Sequence, residues 1–229
     1  MINNNTSFMI NNYPTFIKGL KLKKGDESVI VVEGNIGVGK TTLSKAIRDK
    51  YNMSLFKEIS NPLTQFMLDK FYVNKSRYAF LLQVHFLNER FKMIKEIFKN
   101  EGGILDRSIY GDRIFAEVLH NDGNMDEYEY KTYCSLLNNM LEHVKAPRIL
   151  IYLSNDPLNS IRKIKERGIP SEQSIPLDYL QSLKNIYDKW YDEYELSPKI
   201  KLDYNTLDLF KEEDREIIFK KIDEKLNLI

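Results

Sequence analysis

The segment "SVIVVEGNIGVGKTTL", residues 28–43, restricts the fold of this chain more than any other stretch. A short apolar run ends in glycines, and a pattern with Leu43, Ala46 and Ile47 on one helical face follows. Strand, glycine turn and helix in that order make G-x-x-x-x-G-K-[ST] a phosphate-binding loop rather than a chance string. Gly34, Gly39, Lys40 and Thr41 meet the pattern, with Gly37 inside the loop. The backbone from Gly34 through Asn35, Ile36, Gly37, Val38 and Gly39 to Thr42 can converge N–H groups on phosphate oxygens, aided by the helix N-terminus. Lys40 then reaches the β/γ-phosphates, and the Thr41 hydroxyl can ligate Mg²⁺.

From this loop onward strand-like and helix-like stretches alternate. Strands are expected at 53–59, 102–106, 147–153 and 199–203, in addition to the one before the loop. Between them, Asn61-Pro62 opens a helix, 75–99 is one long helix, and helical stretches lie around 109–120 and 125–144. Asp156-Pro157 begins another, "RGIPSEQSIP" (167–176) interrupts it, helix resumes after 176, and 208–226 closes the chain. The pattern predicts an α/β fold: a five-stranded parallel sheet with helices on both faces and a lid. Ligands of such sheets sit at the carboxyl ends of the strands.

At those ends stand Glu33, Glu58, Asp106-Arg107 and Asp203. Asp106 can hold Mg²⁺ opposite Thr41, and Arg107 can neutralise charge on a transferring phosphoryl group. The alternative is a surface Asp–Arg pair capping the next helix. Glu58 can accept a proton from an attacking hydroxyl. Gln83 and Arg90 lie two turns apart on one face of the long helix, a pairing suited to a planar polar ligand; otherwise Arg90 is a surface residue. Lys163 and Arg167 share a helix face running into a loop, either a lid over phosphates or a solvated basic face.

Whole-chain properties narrow the partners. A formal net charge of +1 over 229 residues offers no basic field for a nucleic-acid polymer. No apolar run is long enough to span a membrane. One cysteine, Cys134, rules out an internal disulfide and fits a cytoplasmic setting. Residues 1–27 read as a flexible extension, Asn-rich and without the arginines of an organelle transit peptide, and 28–229 as one catalytic domain.

Beyond this point the chain resembles the deoxynucleoside kinase family, of the deoxycytidine, deoxyguanosine and deoxyadenosine kinase type. The likeness covers about 28–210 and rests on "GNIGVGKTTL", "KEISNP", Tyr72 eleven residues before Gln83, Arg90, "DRSIYGDRIFA" and "RGIPSEQSIPLDYL". It implies ATP as donor, Mg²⁺, a deoxynucleoside as acceptor and a homodimer packed through long helices. It further implies that Glu58 is the general base on the 5′-hydroxyl and that Arg107 holds that hydroxyl and the phosphoryl group. Asp106 and Thr41 would organise the metal. Tyr72 and Glu172 would grip the 3′-hydroxyl, while Gln83, Arg90 and Asp112 would read the base. Lys163 and Arg167 would form the lid. Two features depart from the family: Ile169 stands where the lid repeats an arginine, and Lys163 occupies a position that is often arginine. Phe86, one turn beyond Gln83, would crowd the base pocket. A nucleoside monophosphate kinase, such as thymidylate kinase, is the nearest enzymatic rival, and a P-loop switch is the non-enzymatic one. The former needs extra cations near the second strand, where only Lys57 adjoins the glutamate.

Overall fold

The computed structural model describes residues 29–57, 61–99 and 102–227. The expected extension, 1–27, lies outside them, as does Glu58 with its neighbours 59 and 60. Five strands, β1 (Val29–Gly34), β2 (Leu55–Phe56), β3 (Gly103–Asp106), β4 (Ile149–Ser154) and β5 (Lys199–Asp203), form one parallel sheet in the order β2-β3-β1-β4-β5. Every residue of β1, β3 and β4 is buried. That is the behaviour of parallel strands covered on both faces, and it explains why they read as unbroken apolar runs.

Alternation along the strands feeds two cores. Val29, Val31, Leu105, Leu150 and Tyr152 face one way, into a cluster shared with α3 (Lys75–Lys99), α4 (Arg113–Asn121), α5 (Glu127–Leu141) and α7 (Leu177–Glu193). Ile30, Val32, Ile104, Ile151 and Leu202 face the other way, against Leu43 and Ile47 of α1 (Lys40–Tyr51) and Ile218 and Ile222 of α8 (Glu212–Asn227). Two further α-helices, α2 (Pro62–Val73) and α6 (Pro157–Arg167), complete the described residues. Asn61 caps α2 by accepting from the Thr64 N–H at 2.8 Å, with Pro62 at the first helical position.

The elements agree with the sequence pattern except at some ends. β2 is described over Leu55–Phe56 only, at the edge of the sheet beside β3, where a strand over 53–59 is expected; 58 and 59 lie outside the described residues. The helix expected from 109 is a 3₁₀ turn over Ile109–Gly111, capped by Ser108, and α4 proper starts at Arg113. α8 begins at Glu212 rather than 208. Asp208 folds its own turn, accepting from the Phe210 N–H while its N–H donates to Asp214.

Candidate active site

The phosphate loop is the tight link from the end of β1 to the start of α1. Gly37 has a φ of 75°, and a Cβ there would stand 2.8 Å from the Ser160 carbonyl oxygen, so only glycine lets α6 close this near. Lys40 is buried, and its Nζ donates to the Asn35 carbonyl at 2.8 Å, spanning the loop. Asn35 faces inward: its Nδ2 donates to the Leu180 carbonyl on α7 at 2.8 Å. Val38 is wholly buried, so the side chains of Asn35 and Val38 brace the loop from within. Lys163 of α6 donates to the Val38 carbonyl at 3.4 Å. Burial pushes its ammonium below the ordinary lysine range, against the pull of Asp208. Lys163 is thus half-buried against the loop, whereas Arg167 on the same face is exposed.

The carboxyl end of β3 adjoins that loop. β3 pairs with β1 so that Asp106 lies level with Val32. The Thr41 hydroxyl donates to Asp106 Oδ2 at 2.5 Å, placing an alcohol and a carboxylate side by side where metal-bound phosphates would arrive. Asp106 is 1% exposed and Arg107 6%, which excludes a surface pair. Arg107 has a φ of 71°, a left-handed conformation that costs a non-glycine residue about 1–3 kcal/mol. Its N–H donates to the Val32 carbonyl at 3.0 Å, and its guanidinium lies 4.3 Å from the Phe115 ring centre. Next to it, the Ser108 N–H and hydroxyl both donate to Glu33 Oε1 at 2.7 Å. Burial pushes the Glu33 carboxyl up, while Arg107, Ser108 and Arg90 pull it down.

From here the cavity runs on to α3. Its volume of about 1240 Å³ exceeds the roughly 300–1,000 Å³ of a single small-molecule pocket and leaves room for a donor and an acceptor. Lys40, Thr41 and Lys163 line one part; Tyr72, Gln83 and Arg90 line another. Gln83 and Arg90 are both buried on α3, which decides against a surface arginine. Arg90 forms an ion pair with Asp112 and stands 5.1 Å from the ring centre of Phe86, which lines the same part of the cavity. Arg90 lines the cavity, whereas Asp112 lies behind it, fully buried, and accepts from the Tyr133 hydroxyl at 2.9 Å.

Residues 30–227 match the family described as "Deoxynucleoside kinase". The chain belongs to the deoxynucleoside kinase family. It is therefore a phosphotransferase, and the match selects this reading over the two rivals. The kinase is 37% identical over 211 residues to a deoxyguanosine kinase of Lactobacillus acidophilus, covering 87% of this chain and 91% of the relative. It is 37% identical over 193 residues to the deoxyadenosine/deoxycytidine kinase of Bacillus subtilis, covering 82% and 87%. Among solved structures it resembles deoxyadenosine kinase from M. mycoides with bound dATP, with a TM-score of 0.75, 31% identity and coverage of 85% and 98%.

The remaining site residues of the kinase fall into place unevenly. Arg167 and Glu172, assigned by resemblance to the phosphates and the 3′-hydroxyl, pair with each other across the turn after α6. Both also line the cavity. Asp203, the last strand-end acid, is exposed and holds the turn after β5 by accepting from the Asn205 N–H at 3.0 Å. Glu58 lies outside the described residues, between β2 and the Asn61 cap. Sequence reasoning gave no role to Tyr133, which looks like any aromatic on an amphipathic helix. Glu33 it noted only as a strand-end acid.

Proposed function

We propose that this kinase transfers the γ-phosphoryl group of ATP to the 5′-hydroxyl of deoxyadenosine, deoxyguanosine or deoxycytidine, with thymidine a poor acceptor. The observation that carries the base preference is the buried Arg90–Asp112 pair at the far part of the cavity that begins at the phosphate loop. In this reading the Arg90 guanidinium, fixed by Asp112, donates to ring acceptors of the base, and the amide oxygen of Gln83 accepts from an exocyclic amine. Thymine lacks that amine and brings a methyl group into space already narrowed by Phe86. Relatives named for deoxyguanosine, deoxyadenosine and deoxycytidine support the same set.

In this reading Glu58 takes the proton of the 5′-hydroxyl, and Arg107 neutralises the phosphoryl group as it passes. Lys40 and the loop amides hold the donor phosphates, and Lys163 with Arg167 closes over them. Thr41 and Asp106 suit Mg²⁺, being hard oxygen donors in contact beside the loop. Bound with ATP, that ion would supply charge neutralisation at the phosphates. Tyr72 and Glu172 hold the sugar at its 3′-hydroxyl. With Ile169 in place of a second lid arginine, the lid has fewer forked donors and clamps the donor less rigidly. The expectation of a cytoplasmic homodimer belongs to the same proposal; Leu81 on α3 is 52% exposed, an apolar point on the helix expected to pack.

The test is ADP release with ATP and Mg²⁺, run with each of the four deoxynucleosides and with dTMP. Turnover is expected with the purine deoxynucleosides and deoxycytidine. Turnover confined to dTMP, or a preference for thymidine, would refute the proposal.

A further inference from the structure

Glu33 lies just ahead of the phosphate loop, outside its glycine pattern, and its carboxyl is wholly buried. It does not line the cavity. Its contacts are concentrated on one feature, the turn after β3. The Ser108 N–H and hydroxyl converge on Oε1, and the Tyr187 hydroxyl from α7 reaches Oε2 at 3.3 Å. On the strand, the preceding residue Val32 accepts from the Arg107 N–H. Two consecutive residues of β1 thus hold two consecutive N–H groups of the turn, and those two groups flank the Arg107 Cα.

We propose that Glu33 is a positioning residue that holds Arg107 in its left-handed conformation, and so aims the guanidinium at the transferring phosphoryl group. The inference rests on the role of Arg107 in the proposed function.

Two further contacts show that the turn is built around this carboxyl. A Cβ on Gly111 would stand 2.9 Å from Glu33 Cδ, so the carboxyl fills the space that a side chain there would need. On the α7 side, Trp190 Nε1 donates to the Tyr110 carbonyl at 3.1 Å, which stops the turn from lifting away. A carboxyl group is suited to this task because one oxygen accepts both Ser108 hydrogen bonds while the other meets the Tyr187 hydroxyl. It thereby helps to offset the conformational strain at Arg107. An amide of the same shape keeps the volume but turns one of the two oxygens into a donor that cannot accept.

The experiment is a double-mutant cycle with Glu33→Gln and Arg107→Ala, read as kcat and KM for ATP in the full-length enzyme below its melting temperature. Glu33→Gln is expected to lower kcat by about 10- to 100-fold with KM for ATP within about twofold. In the Arg107→Ala background the same change is expected to alter kcat by less than about twofold, because its effect passes through the missing arginine. Losses that multiply would overturn the inference, since they mean that Glu33 acts independently of Arg107. Unchanged kcat in Glu33→Gln would overturn it as well. Near-normal turnover of Arg107→Ala would overturn the underlying reading of Arg107, a result distinct from either. If Glu33→Gln does not fold, Ser108→Ala removes one of the two donors to Oε1 and replaces it in the cycle. A loss of about 3- to 10-fold that vanishes in the Arg107→Ala background is then expected, and a loss that persists there refutes the inference.

Discussion

Replacing Arg90 and Asp112 together, by methionine and alanine, should turn the enzyme toward thymidine, while Asp112→Ala alone should chiefly destabilise it. Arg90 is 5% exposed and Asp112 wholly buried, so the pair is shielded from water. Removing Asp112 leaves the guanidinium buried without its carboxylate, a cost of about 3–5 kcal/mol. It also strands the Tyr133 hydroxyl, which adds about 1 kcal/mol. Against a total stability of roughly 5–15 kcal/mol, that single change removes about a quarter or more of the margin. The double variant removes both charges and keeps an apolar stem at position 90, so it should stay within about 1–2 kcal/mol of the parent. At the same time it opens space beside Phe86 for a 5-methyl group. A site that hydrogen-bonds its substrate rejects an unmatched analogue by about 10⁴ or more, and losing both groups should erase at least about 10² of that. Urea unfolding followed by circular dichroism gives the stabilities, and competition between thymidine and deoxycytidine gives the ratio of kcat/KM. A double variant as unstable as Asp112→Ala, or one with an unchanged ratio, would refute the assignment of this pair to base reading.

Glu58→Gln should lower kcat by about 10²–10⁴ while the deoxynucleoside still binds; near-normal turnover would move the base role to Asp106. Tyr72→Phe should weaken deoxynucleoside use by about 1 kcal/mol in kcat/KM, the value of one neutral hydrogen bond, and the parent enzyme should prefer deoxyadenosine to adenosine. Equal use of the two nucleosides would remove the sugar-binding arrangement. Asp188 supplies a pH dependence. Burial pushes its carboxyl up, but hydrogen bonds from Lys184 and Lys201 outweigh this and hold it below the ordinary aspartate range. A depressed carboxyl contributes stability above its unfolded value, and that contribution fades as pH falls through the folded one. Asp188→Asn should therefore flatten the acid limb of a melting-temperature profile, and a limb of unchanged slope would refute the linkage.

How much of this was legible in the chain itself follows from the range of each interaction. The phosphate loop could be read outright because its glycines, lysine and threonine are neighbours, and strand, turn and helix are local patterns. α3 runs from 75 to 99 as the apolar periodicity predicted, and β1 and β4 announced their burial as continuous apolar runs. β2 begins at Leu55 rather than at 53, where the apolar pattern runs on past the residues that pair with β3. The pairings at the site could not be read from spacing. Glu33 meets Ser108 across 75 residues because β1 and β3 lie side by side in the sheet. Arg90 meets Asp112, and Tyr133 meets Asp112, only where α3, α4 and α5 pack together. Sequence alone determined which charged and polar groups the chain carries and which backbone forms the glycine loop between β1 and α1. Only the tertiary structure decided which of those groups are buried and what they face, because desolvation depends on every element packed around a group, not on its distance along the chain.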